Sequence, residues 1–300
     1  MMRRHVPFWT LAFACAGVAA AQEGPSPGEW ARYRLDGPAP WRYARPVESA
    51  GYRIALSSPD GRSLEARVEI QAAPLTVDAA FPPSPATLSA EARAVLADPL
   101  QEDPELDALS RRLLADTKTM LEAVERVVAF TAHRVRYLLP DGSSETASAT
   151  LRSRRGSCVG RSLLAAELLL RAGVPARQVT GILAAQRARE LTPESRNVFD
   201  AALGGVRHRW IEVFVPGLGW VPSDPGGLAN TVTARHFALD RQPPAGFHVD
   251  VAGRSAELKR PLLETAEGGL TLYRPRGASV VEAVEGAPLD PRALATPARR

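Results

Sequence analysis

Residues 155–177 read Arg-Gly-Ser-Cys-Val-Gly-Arg-Ser-Leu-Leu-Ala-Ala-Glu-Leu-Leu-Leu-Arg-Ala-Gly-Val-Pro-Ala-Arg. Leu163, Leu164, Leu168, Leu169 and Leu170 cover nearly every face of a helix, and a helix apolar all round is a buried one. Gly173 and then Pro175 end it in the usual order. Cys158 is therefore expected at the N-terminus of a buried helix. Partial positive charge and free N–H groups there favour thiolate over thiol. The same groups can receive an oxyanion on an acyl group under attack. Gly156 is read as leaving room for a substrate backbone. A purely structural cysteine would sit more naturally among the leucines.

A thiol nucleophile needs a base. His208 leads Arg209-Trp210-Ile211-Glu212-Val213-Phe214-Val215, which reads as a buried strand with the histidine at its end. Trp210 beside it would hold the ring and exclude water. His133 has apolar neighbours near a helix end and reads as structural. His236 and His248 have no comparable frame. For any one histidine the plain alternative is surface or core filler. The base in turn needs an orienting acceptor. Gly219-Trp220-Val221-Pro222-Ser223-Asp224-Pro225 places Asp224 at the end of a second short strand, after a turn at Pro216-Gly217-Leu218-Gly219. A hairpin would bring His208 and Asp224 side by side. Standing alone, an Asp before Pro would be a turn former.

Together these blocks resemble the transglutaminase-like superfamily. Gly156-Ser157-Cys158 with its leucine helix matches the cysteine block. His208-Arg209-Trp210-Ile211-Glu212-Val213 and Gly219 to Pro225 match the histidine and aspartate blocks. His208 lies 50 residues after Cys158, and Asp224 a further 16. The resemblance covers roughly residues 105–230. It implies an α+β fold of papain/transglutaminase type, with a central Cys-bearing helix packed on an antiparallel sheet. It also implies a Cys158–His208–Asp224 triad acting on an amide or peptide bond of a protein or peptide substrate, through a thioester. Some members of the superfamily have lost the triad and serve as binding modules; here all three residues are present. Hydrolysis is expected over cross-linking, because water is the default acceptor and no upstream oxyanion side chain is identifiable. The alternative is a non-catalytic binding or envelope-assembly module. Gly156, Ser157, Arg161, Arg209 and Trp210 are the candidate substrate-binding residues. Arg209 stands where the family usually has a small residue. Arg161 and Arg209 either flank the site and favour a carboxylate-bearing substrate, or face solvent. The segment Ala185–Arg207 is either a lid or a surface insertion.

Outward from the core, the chain divides into a leader (1–21), a β-rich N-terminal region (22–85), the catalytic core (100–245) and a β-rich C-terminal extension with a frayed tail (246–300). Trp30–Arg34, Tyr52–Leu56, Ala66–Ile70, Phe247–Val251 and Leu270–Tyr273 are strand-like, with a turn at Ser58-Pro59-Asp60-Gly61. Phe81-Pro82-Pro83-Ser84-Pro85 reads as a linker. Asp103-Pro104-Glu105 is a helix start. The leucine pattern behind it continues into Met120–Val128, as one helix or two.

The leader begins with Arg3 and Arg4, continues with an apolar run Phe8–Val18, and ends at Ala19-Ala20-Ala21. That is the plan of a cleaved secretory signal, too short to span a membrane; no later stretch qualifies as a span. Export to a periplasm or beyond is expected. With 2 cysteines in all, at 15 and 158, cleavage would leave Cys158 as a lone thiol. A lone thiol in an oxidising compartment is either reactive or a small buried hydrophobe. The net charge is +4, and the arginines are interleaved with acids. No basic stripe of the kind that binds nucleic acid is visible. No cofactor is implied: there is no metal-ligand spacing around Cys158 and no acidic calcium loop.

Overall fold

A computed structural model describes residues 27–71, 75–77, 79–138, 145–184, 199–241, 243–244, 246–255 and 263–265. The leader, the turn at Pro140-Asp141-Gly142, most of the 185–207 segment and the Leu270–Tyr273 strand lie outside them. The elements in chain order are β1 (Pro27–Asp36), β2 (Val47–Ser49), β3 (Tyr52–Ser57), β4 (Leu64–Gln71), β5 (Leu75–Val77), α1 (Ala90–Ala97), α2 (Pro104–Leu113) and α3 (Met120–Arg134). Then follow β6 (Arg136–Tyr137), α4 (Ala147–Ser153), β7 (Arg155–Gly156), α5 (Cys158–Arg171), β8 (Ala176–Ala184) and β9 (Phe199–Asp200). The last are β10 (Gly205–Val215), β11 (Gly219–Ser223), β12 (His236–Ala238), β13 (His248–Arg254) and β14 (Leu263–Thr265).

Period-two patterning builds the N-terminal sheet. Along β4, Leu64, Ala66, Val68 and Ile70 are buried, while Glu65, Arg67 and Glu69 face outward. β1 supplies Ala31, Tyr33 and Leu35 to the same buried face. The strand order is β13-β1-β4-β3-β2, so the C-terminal strand β13 returns to pair antiparallel with β1. The central sheet runs β11-β10-β8-β12, all antiparallel. One of its faces meets α2, α3 and α5 through Ile211, Val213, Val215 and Val221. The other meets the N-terminal sheet through Ile182, Trp210 and Phe237. Helices, central sheet and N-terminal sheet thus form three layers with the central sheet between two apolar cores.

Helix starts follow local chemistry. The Asp103 carboxylate accepts from the N–H groups of Glu105 and Leu106 at 3.0 and 3.1 Å, with Pro104 in the first turn. Thr119 caps α3 by accepting from Glu122 N–H at 3.2 Å, so the leucine pattern is two helices. The Phe81–Pro85 stretch is an anchored strap. The Phe81 N–H donates to the Lys118 carbonyl at 2.8 Å, and the Met120 N–H to that of Ala79 at 2.8 Å. Of the 185–207 segment, residues 199–207 form β9, a 3-10 turn and the start of β10.

Candidate active site

Cys158 is the first residue of α5, and Ser157 is its N-cap. The Ser157 hydroxyl accepts from the Val159 N–H at 3.1 Å and donates to the Glu145 carboxylate, which also accepts the Ser157 N–H at 2.6 Å. Glu145 thereby fixes the turn that presents the thiol, a role with no sequence signal, since it lies 12 residues upstream. Close packing explains the flanking glycines. A Cβ on Gly160 would stand 2.6 Å from Thr150 Oγ1 and 2.8 Å from Glu145 Oε1. A Cβ on Gly156 would meet Thr150 Cγ2 at 3.0 Å. Gly156 is therefore buried against its own chain. The expectation that it leaves room for substrate is corrected on that ground.

β10 brings the base. His208 lies inside this strand, three residues after its start, rather than at a strand end. β10 pairs with β11 so that Ile211 opposes Ser223, the residue before Asp224. Gly217 and Gly219, at φ +85° and +86°, shape the turn between them. Asp224 then opens a tight reversal, closed by Leu228 N–H to Asp224 carbonyl at 2.8 Å. The Thr131 hydroxyl reaches from α3 to the Pro225 carbonyl at 3.2 Å. His208 Nε2 is 2.9 Å from Asp224 Oδ2. His208 and the Arg209 backbone N–H both act on the Cys158 thiol to favour its ionised form.

These contacts set the protonation states. Burial pushes the Cys158 thiol up, but the hydrogen bond and charge of His208, with the Arg209 N–H, outweigh it, and its pKa is lowered from 9.0. For His208, burial works downward. The Asp224 carboxylate and the Cys158 sulfur outweigh it and raise the imidazole to about 10. Burial alone would raise the Asp224 carboxyl, yet His208 and His236 hold it well below the carboxylate range. Each group thus favours the charged form of its neighbour: the thiol is made more acidic, the imidazole more basic and the carboxyl more acidic, a polarised chain from Cys158 through His208 to Asp224.

The other candidates are placed as follows. Trp210 is fully buried, its ring 6.1 Å from that of His208. The Arg209 side chain is half-buried and reaches Gln178 Oε1 at 3.4 Å; Gln178 in turn donates to the Ser162 hydroxyl at 2.7 Å. Its backbone, more than its guanidinium, bears on the thiol. Arg161 flanks the site, donating to the Val135 carbonyl at 2.5 Å with its guanidinium 5.4 Å from the Tyr137 ring centroid. Neither arginine simply faces solvent. Tyr137 is 44% exposed beside Cys158, and burial of the rest of its ring, with the nearby sulfur charge, pushes its hydroxyl up to about 12. His133 and His248 are exposed and away from this cluster.

Sequence reasoning missed His236, which is buried with Nε2 3.1 Å from the same Asp224 Oδ2. It follows Asp224 by 12 residues and lacks apolar patterning around it, so no local signal marks it. His208, Asp224 and His236 offer ligand-type atoms within 4.8 Å of one another. Their atoms are spent on each other, however: both ring nitrogens bond to one carboxylate oxygen instead of converging on a shared vacancy.

Residues 107–225 match the family model of the transglutaminase-like superfamily. Residues 107–225 are a transglutaminase-like core. The match spans the stretch from α2 to Pro225 and includes Cys158, His208 and Asp224. The α+β class, with helices on an antiparallel sheet, is that of the transglutaminase-like core. Similar solved structures include a candidate cysteine protease from Cytophaga hutchinsonii, at 16% identity, 77% of this chain, 86% of that one and TM-score 0.41. The periplasmic domain of TgpA from Pseudomonas aeruginosa is similar at 21% identity, 65% of this chain, 74% of that one and TM-score 0.41. Red sea bream transglutaminase is similar at 11% identity, 72% of this chain, 48% of that one and TM-score 0.33. At these identities and scores no activity or substrate carries across. None of the curated proteins matches the chain.

Proposed function

We propose that the protein is an exported cysteine-nucleophile enzyme that cleaves or transfers an acyl group at an amide or peptide bond, with hydrolysis the main outcome. The observation that carries this reading is the polarised chain from Cys158 through His208 to Asp224, closed by the 2.9 Å His208–Asp224 contact. In this reading the Cys158 thiolate attacks the acyl carbon. The Cys158 N–H at the start of α5 faces the oxyanion, the Val159 N–H being taken by the Ser157 hydroxyl. The His208 imidazolium gives its proton to the leaving amine as the C–N bond breaks, and a thioester remains. Water, deprotonated by the now neutral His208, attacks the thioester; the acid departs and the thiolate–imidazolium pair returns. An amine in place of water gives transfer. Asp224 keeps the His208 proton on Nε2, so the nitrogen facing the sulfur is free to take and give a proton.

The leader plan at residues 1–21 supports export, and a lone reactive thiol fits that setting. The test is amine release from a panel of peptide and carboxamide substrates, with and without an added primary amine. Wild type should release amine and free acid. Cys158→Ala should show no turnover above background, and Asp224→Asn should lose roughly 10²- to 10⁴-fold in kcat. Turnover that survives Cys158→Ala overturns the proposal, as does a wild type without turnover, which would leave a binding module on the same fold.

A further inference from the structure

We propose that His236 is a positioning residue for the Cys158–His208–Asp224 chain, and that the N-terminal sheet sets its place. The inference rests on the acyl-transfer reading above and adds a fourth residue to that site.

The partners of the ring fix its tautomer. The Thr233 N–H lies 3.2 Å from Nδ1, and the Thr233 hydroxyl 3.1 Å from the same atom. Nδ1 is therefore an acceptor, and the ring proton sits on Nε2, facing Asp224 Oδ2 at 3.1 Å. The ring is 2% exposed and stands edge-on to Trp210, with centroids 5.3 Å apart at 85°. Burial lowers its proton affinity more than Asp224 raises it, so it acts as a neutral donor. Asp224 Oδ2 thus lies between two ring N–H groups, while Oδ1 accepts from the Gly226 N–H at 2.8 Å. The carboxylate that orients His208 is itself oriented from the opposite side.

What holds His236 comes from outside the matched core. Three buried side chains of β1 and β3 grip the main chain of residues 234–238. Glu29 Oε1 accepts from the Ala234 N–H at 2.5 Å. The Tyr33 hydroxyl donates to the Ala234 carbonyl at 2.7 Å. The Tyr52 hydroxyl donates to the His236 carbonyl at 2.6 Å and accepts from the Ala238 N–H at 3.3 Å. On the same segment, Arg235 bonds the Ala184 carbonyl at 2.7 Å. The charged and titratable groups around His236 are therefore Asp224 and His208 of the core, Arg235 beside it, and Glu29, Tyr33 and Tyr52 of the N-terminal sheet. The sheet is thereby mechanically connected to the triad: β1 and β3 grip the 234–238 strand, His236 grips Asp224, and Asp224 orients His208.

A neutral donor on Asp224 Oδ2 draws off part of the carboxylate charge. Without it, more of that charge falls on His208, which then holds its proton more tightly and releases it less readily to a leaving amine. His236→Asn and His236→Gln separate this role from bulk packing. Asn keeps an acceptor for Thr233 but is too short to reach Asp224, whereas Gln places an amide N–H where Nε2–H stood. The measurement is the pH profile of kcat and kcat/KM for an amide substrate, on the full chain, alongside the pH profile of Cys158 alkylation. His236→Asn should move the alkaline limb up by about one pH unit and lower kcat more than it changes KM. His236→Gln should return both toward wild type. Tyr52→Phe should shift the limb in the same direction by less, and it decides the matter if the Asn variant does not fold. A wild type with an activated thiol and an Asn variant with an unmoved limb overturn this inference alone. A wild-type thiol of ordinary reactivity overturns the acyl-transfer reading and this inference with it.

Discussion

Asp224 is the carboxylate on which both buried histidines converge, and its effect shows in how stability depends on pH. Its carboxyl is held well below 3.8 by His208 and His236. That contribution is present above pH 3.8 and is lost as pH falls below it. His208 is raised from 6.5 to about 10, so its contribution is full below 6.5 and lost as pH rises through about 10. Cys158 is lowered from 9.0, so its contribution is present above 9.0 and lost as pH falls toward its folded value. The two contributions oppose each other above neutral pH: that of the imidazolium weakens as pH rises above 6.5, while that of the thiolate grows as pH rises toward 9.0. Removing the thiol takes away the second. In Cys158→Ala stability should fall more steeply between pH 6.5 and 9.0 than in wild type, readable from urea unfolding at a series of pH values. An unchanged slope in the alanine variant would show that the thiol and imidazole are not coupled.

At the scale of elements, β8 and β10 carry the site, and their contact is unusually tight at one point. A Cβ on Gly181 would stand 2.3 Å from the Phe237 carbonyl oxygen and 2.4 Å from the Trp210 ring. Both neighbours are buried and neither can give way freely, because the Trp210 ring also stacks near His208 and stands edge-on to His236. Gly181→Ala should destabilise the fold by about 1–3 kcal/mol, read by denaturant unfolding. It should also disturb His208, which pairs with Gly181 across the two strands. Unchanged stability would mean that the two strands are more loosely packed than described. The elements that were legible in the sequence are those whose signal is local. The leucine run after Cys158 gave α5, Asp103-Pro104 gave the start of α2, and alternation in Ala66–Ile70 gave β4. Helices α1 and α4, of eight and seven residues, lack a long apolar stripe and were not legible. Their Ser89 and Thr146 caps are the signals that mark them.

Across the whole molecule, the central sheet is shared between the helical layer and the N-terminal sheet, so the candidate site depends on residues far apart in sequence. The Cys158, His208 and Asp224 blocks were readable because each borders a patterned apolar run. Glu145, which grips Ser157, and His236, which grips Asp224, were not, because nothing local distinguishes them and only the tertiary fold brings them in. The return of β13 to β1 was equally hidden: its side-chain alternation predicts a strand but not a partner 225 residues away, the separation at which the Trp30 N–H meets the Ser255 hydroxyl. The central claim is that Cys158 is a thiolate held by the His208 imidazolium. It is tested most directly by the rate of Cys158 alkylation by iodoacetamide as a function of pH, in wild type and in His208→Ala. An inflection well below the free-cysteine value of about 8.5 in wild type, moved back toward that value in His208→Ala, is the result the account predicts. An ordinary inflection in wild type, or one that His208→Ala leaves in place, would contradict it.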